Sequence, residues 1–159
     1  KLIAFENQRA GARLEWGQAL DDKGDLVFPG QIDGTAKHVK MTLEHVQKAR
    51  GHIFTHGHPS DVSLSRGDWK CAAIFKSKEF RAISAKYVHS IKPGGLRFPP
   101  SSEMLKWYSK AMKEIRKLDR RITCPEPAGT TGTTFWHMVN TRAAELSNGA
   151  VIYERTERT

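Results

Sequence analysis

The apolar positions of this chain fall into short, loosely alternating runs over its first half and into a helical repeat in its last third. Residues Ala12–Leu20 alternate, Asp21-Asp22-Lys23-Gly24-Asp25 has the composition of a turn, and Leu26-Val27-Phe28 resumes before Pro29-Gly30, which predicts a β-hairpin. His38–Thr42 reads as a further strand, and Thr42 stands where it would cap a helix over Leu43–Arg50 that Gly51 ends. His52–His56 is a short apolar strand. The loop Gly57-His58-Pro59-Ser60-Asp61 must leave it, because proline cannot continue the ladder. Ser65 with Asp68 three positions later has the form of a capping box and predicts a capped helix over Ser65–Lys78. Strand candidates follow at Glu79–Ala85 and Tyr87–Ile91.

Lys92-Pro93-Gly94-Gly95 and Pro99-Pro100 break the pattern, dividing the chain into a core over residues 1–92 and a C-terminal helical extension over 93–159, packed on that core. Met104, Tyr108, Ala111, Ile115, Leu118 and Ile122 recur at spacings of four and three, so Ser102–Arg121 is expected as a long amphipathic helix. Pro125, Pro127 and the run Gly129–Thr134 predict a loop, Phe135–Ser147 a second helix, and Ala150–Tyr153 an edge strand. The fold class implied is α/β: a mixed sheet of about six strands flanked by helices.

Composition narrows the class. The 159 residues are 38% hydrophobic and include four tryptophans, enough for a buried core and unlike a disordered polycation. No apolar run approaches the roughly 20 residues of a membrane span. Cys71 and Cys124 lie far apart, against a disulfide scaffold or a cysteine zinc knuckle, so a reducing compartment is expected: a cytoplasm, or delivery into one as part of a larger polypeptide. The first residues, Lys-Leu-Ile-Ala, lack Met and a signal pattern, as expected of a processed end or a piece of a longer chain. The 26 Lys+Arg exceed the 17 Asp+Glu by nine, and Lys106, Lys110, Lys113, Arg116, Lys117 and Arg120 crowd one helix. Such a surface is either a solvated face or a site for nucleic acid or an acidic partner; no nucleic-acid-binding motif accompanies it.

The sharper chemistry is His56-Gly57-His58 at the end of the apolar strand. Side chains two apart on a strand share a side, so both imidazoles can converge on one ion, with Gly57 leaving room between them. Asp68, ten positions after His58, could swing back from the first turn of the next helix. Two histidines and one carboxylate, with a fourth position open, is the donor set of a catalytic zinc site.

The string Thr55-His56-Gly57-His58-Pro59 … Ser65-Arg66-Gly67-Asp68 resembles the signature of the JAMM/JAB (MPN-like) metalloproteases, His-x-His-Pro followed by Ser-x-x-Asp. Its nine residues between His58 and Asp68 are one fewer than in the most familiar members and similar to a bacterial, phage-associated or toxin-like branch. Glu15, before an apolar strand and an Asp-Lys-Gly turn, is similar to the catalytic glutamate of that branch. The resemblance covers roughly residues 12–92 and implies a Zn²⁺ held by His56, His58 and Asp68. It further implies Glu15 as the proton carrier, Ser65 as the donor to the oxyanion, and a protein or peptide substrate cut at a peptide or isopeptide bond.

Each residue has a plainer use. Ser65 and Asp68 form an ordinary capping box, and that use competes for the same hydroxyl. Glu6 rivals Glu15, in a segment with less strand pattern. Trp16 and Trp69 adjoin the expected site and suit apolar packing more than a substrate groove; His38, His45, His52, His89 and His137 have no ligand spacing. The rival function is a non-catalytic binding module holding nucleic acid or an acidic partner through the basic helix.

Overall fold

The computed structural model describes residues 1–35, 39–119 and 131–158. Six strands, β1 (Trp16–Leu20), β2 (Ile32–Asp33), β3 (Ile53–Gly57), β4 (Glu79–Ile83), β5 (Tyr87–Pro93) and β6 (Val151–Glu157), form one sheet in the order β2-β1-β3-β4-β5-β6. Only β3 and β4 run parallel; the other pairs are antiparallel. Among the described residues, five helices flank it: α1 (Leu2–Arg9), α2 (Leu43–Lys48), α3 (Arg66–Phe75), α4 (Ser101–Asp119) and α5 (Thr131–Leu146). The expected mixed α/β sheet is therefore the architecture found. No helix among the described residues is long and apolar enough to cross a membrane.

Parallel pairing requires a crossover, and α3 supplies it: β3, the loop after it, α3 and β4 make a β-α-β unit. Its loop leaves the carboxyl end of β3 and enters the N-terminus of α3, which brings the His-Gly-His end of one element beside the capping box of the next. A left-handed Lys76 (φ 50°) ends α3, two residues short of the expected Lys78.

The predicted hairpin is the main correction. Leu26 makes a single bridge to Leu20, and the chain pairs again only at Ile32 and Asp33, with extra residues between. Pro29 lacks an N–H and Gly30 has φ 72°, so a continuous ladder is interrupted there. The Gln18 carboxamide fills the gap, donating to the carbonyls of Phe28 and Gly30. The strand expected over His38–Thr42 shrinks to one bridge from Val39 to Gly34, and His38 lies outside the described residues. The first residues, which carry no clear pattern, form α1. The run expected as a loop up to Thr134 is helical from Thr131, as the first turn of a helix whose body packs against α4. Arg120, Arg121 and Cys124 lie outside the described residues. The chain beyond residue 92 returns to the sheet: Met104, Tyr108, Ala111, Ile115, Val139, Ala143 and Val151 join the same buried cluster as Phe54, Trp69 and Phe80.

The register sorts side chains to two faces. Gly17, His56, Ala82 and His89 are successive partners on the face that α3 covers; Gln18, Thr55, Arg81 and Ser90 lie on the other, against α1. Gly57 belongs to this second face and does not separate the histidines. A Cβ on it would collide with Nε1 of buried Trp16, so the glycine makes room for that indole. Gly57→Ala is expected to destabilise the fold by about 1–3 kcal/mol through overpacking, measured as a lower urea midpoint with an unchanged slope.

Candidate metal centre

His56 is the last inward-facing residue of β3, and His58 follows in the loop, held by its own N–H to the Ile83 carbonyl at 2.8 Å. Both rings are buried and turn Nε2 toward Nε2 at 2.9 Å. Nδ1 of His58 lies 3.0 Å from the Val62 carbonyl; a hydrogen bond from Nδ1–H there leaves Nε2 as the lone-pair nitrogen. Asp68 comes from the first turn of α3, with Oδ1 3.3 Å from Nε2 of His56 and Oδ2 3.6 Å from Nε2 of His58. The three side chains thus offer one ligand atom each, all within 4.8 Å of one another, and could hold a metal ion.

The capping box and the ligand set share one carboxylate. Oδ2 of Asp68 accepts from the Ser65 N–H at 2.6 Å while the Ser65 hydroxyl oxygen accepts from the Asp68 N–H at 3.2 Å. The helix start therefore orients the third ligand, and the two readings of Asp68 are compatible. Ser65 spends a lone pair on the cap, which leaves its hydroxyl hydrogen for another partner.

Charge is set by proximity against burial. Burial disfavours a charged His56, but the Asp68 carboxylate beside it, helped by Glu15, raises its pKa above the ordinary 6.5. His58 goes the other way: burial and then the neighbouring His56 lower it, and Asp68 only partly offsets them. Burial likewise opposes ionisation of Asp68, yet the two imidazoles and the Ser65 N–H hold its carboxyl well below the usual range. The cluster therefore favours a carboxylate on Asp68 and a proton on His56 over one on His58.

Glu15 immediately precedes β1. The Gly17–His56 pairing, run two residues further, sets Glu15 across from His58, and it lines the same cavity as the three ligands. Glu6 is committed elsewhere: it is buried on the opposite face, bound by Arg81 Nε at 2.7 Å, Arg81 Nη2 at 2.9 Å and Thr55 Oγ1 at 2.8 Å. Trp16 packs on that opposite face, against Phe5. Trp69 is buried with its indole N–H on Asn140 Oδ1 at 2.6 Å. His45 completes the capping box of Thr42, and His52 stands at the far end of β3 from the ligands.

What the sequence reading missed is the contribution of the C-terminal third. The two residues just before the α3 cap are gripped by three of its elements. Tyr108 of α4 donates to the Leu64 carbonyl at 3.1 Å and Asn140 of α5 donates to it at 2.9 Å. Tyr153 of β6 is hydrogen-bonded to Ser63 Oγ, His89 Nδ1 and His137 Nδ1, each at 2.9 Å. Burial, chiefly, lowers His89 to about 3, so that imidazole stays neutral. The available signal was Asn140 itself, a polar residue on the apolar repeat Trp136, Val139, Asn140, Ala143. Trp136 also lines the cavity, a role expected of neither Trp16 nor Trp69.

Comparison of the chain with protein families, with curated proteins and with solved structures finds no match.

Two outcomes follow from this geometry. Asn140→Ala strips the buried Trp69 N–H of its acceptor and the Leu64 carbonyl of a donor, so a loss of about 1–3 kcal/mol is expected in chemical denaturation. A divalent ion must displace the proton that Asp68 stabilises on His56. In the ion-free protein that proton contributes stability fully below pH 6.5, and the contribution is lost as pH rises through the raised pKa of His56. Ion affinity should run oppositely, weakening as pH falls through the same range, with proton release detectable by calorimetry in buffers of different ionisation enthalpy.

Proposed function

We propose that this chain is a zinc-dependent hydrolase of the JAMM/JAB (MPN-like) type, cleaving a peptide or isopeptide bond. The observation that carries the reading is the convergence of His56, His58 and Asp68 on one point of a cavity that Glu15 also lines. Ligand bonds of about 2.0–2.1 Å to a tetrahedral ion correspond to ligand–ligand edges of about 3.3–3.4 Å. The two Nε2 atoms stand 2.9 Å apart and Nε2 of His56 stands 3.3 Å from Oδ1 of Asp68, both near that value, while one ligand atom from each residue lies within 4.8 Å of the others; two imidazoles and one carboxylate suit zinc with a position left open.

When bound, the ion supplies Lewis acidity and brings the pKa of a water toward about 7. Glu15 would accept a proton from the attacking water and would deliver it to the departing amine as the C–N bond breaks. Ser65 donates its remaining hydroxyl hydrogen to the oxygen that gains charge, while its lone pair stays in the cap. His58 is kept in the ligating tautomer by Val62, and Asp68 is kept ionised by its neighbours.

The test is Glu15→Gln against Glu6→Gln. Glu15→Gln should retain zinc and stability but lose about 10²–10⁴-fold in amide hydrolysis, whereas Glu6→Gln should lower stability and leave the catalytic step largely intact. Equal hydrolysis by wild type and Glu15→Gln, or no zinc uptake after zinc is supplied, defeats the proposal.

A second reading, attachment to nucleic acid or an acidic partner, is favoured by one surface. Lys106, Lys110, Lys113 and Lys117 are spaced four, three and four, share the exposed face of α4, and form no ion pair among the described residues. Arg116 is exposed beside them. Polyanion affinity is then expected to fall steeply with salt and to be indifferent to Glu15→Gln and to chelation, as measured by fluorescence anisotropy.

A further inference from the structure

The cavity that holds the three ligands is larger than the ligands need. It measures about 460 Å³, and most of its wall is apolar. Pockets of roughly 300–1,000 Å³ with a few convergent polar groups are the usual form of a small-ligand or side-chain site, whereas a few waters would occupy only about 30 Å³ each.

The topology sets where the apolar part lies. On α3, Asp68, Cys71 and Phe75 are spaced three and four, so one stripe of the helix runs from the ligand into the apolar wall, Cys71 coming about 4.5 Å along the axis. On the sheet, Phe54 stands two residues before His56 on the same face, with Phe80 paired to it. Gly17, the partner of His56, leaves room for two of the lining side chains: a Cβ there would lie 2.9 Å from the Phe54 ring and 3.0 Å from Val39. Met41 and Trp136, both half-buried, close the sides. Burial pushes the Cys71 thiol up to about 11, so it is a neutral part of this wall.

We infer that this recess receives a large apolar group, aliphatic or aromatic, joined to the carbonyl that the metal centre attacks, so that the substrate is an amide with such a side chain on its acyl side. This rests on the hydrolase reading and adds a substrate class to it. The polar atoms lie at one end of the cavity, and the recess starts within one helical turn of Asp68. An acyl group whose carbonyl sits at the ligands must therefore direct its side chain either out to solvent or down this wall. A short polar or glycine-like acyl group would leave the wall wet and gain nothing from it.

The probes are hydroxamic acids, which chelate zinc through the carbonyl that they carry. Calorimetry on the zinc-loaded full chain compares acetohydroxamic acid with 3-phenylpropionohydroxamic acid and with the monohydroxamate of succinic acid. The phenyl compound is expected to bind about tenfold tighter or more than the acetyl one, from burial of its ring, and the succinyl compound no tighter than the acetyl one. In Trp136→Ala and in Met41→Ser the phenyl advantage should shrink severalfold, while acetohydroxamic acid binds as to wild type. Zinc uptake with equal affinities for the phenyl and acetyl compounds, or a phenyl advantage untouched in both variants, overturns the recess assignment and leaves the metal reading standing. Failure to take up zinc overturns both.

Discussion

The Asp68 carboxylate is the point at which the local and the tertiary demands of this structure meet. As the third residue of α3 it closes the capping box by accepting the Ser65 N–H, and from the same position it lies between two buried imidazoles. A buried carboxylate without such partners would be protonated or would expel its helix start from the fold. With them it is held ionised, and the helix N-terminus, where backbone N–H groups gather, favours the same charge. The crossover from β3 to α3 then cannot drift, because the strand end and the helix start are tied through one side chain.

Around that tie the sheet divides its labour. The face under α3 carries the histidines, the aromatic cluster of Phe54, Phe75 and Phe80, and the cavity. The opposite face carries a buried ion pair of Glu6 with Arg81 and the Trp16 indole, which Gly57 accommodates. Alternation at a period of two is what lets consecutive residues of β3, Thr55, His56 and Gly57, serve these unrelated purposes. The C-terminal third adds the sixth strand and grips Ser63 and Leu64 from three elements, so the loop between His58 and Asp68 is anchored both to the sheet edge and to the two helices.

Legibility followed the range of the interaction. The spacing of His56, His58 and Asp68, the caps at Thr42 and Ser65, and the α4 repeat are local, and each was readable from neighbours in the chain. The break in the hairpin partner of β1 was harder: Pro29 and Gly30 interrupt the ladder, but only the fold brings the Gln18 carboxamide to the carbonyls left over there. The choice between Glu6 and Glu15 was open for a related reason: both are single carboxylates near the start, and only the packing of α1 on Arg81 and Thr55 takes Glu6 to the face opposite the cavity that Glu15 lines. Tyr108 was read as one more apolar position, and its hydroxyl contact with Leu64 spans a separation that no local pattern records.

By itself, then, the sequence determined the α/β class, the strand-loop-helix segment that bears the ligand types, and the excess of positive charge on the α4 surface. These depend on periodicity, capping and composition, which act over a few residues. The tertiary structure decided which glutamate lines the cavity with His56, His58 and Asp68, why Gly57 is glycine, what pins the loop, and that apolar side chains line the rest of that cavity. Those depend on which strands pair and which side chains fill the space between layers, and distant parts of the chain contribute to each.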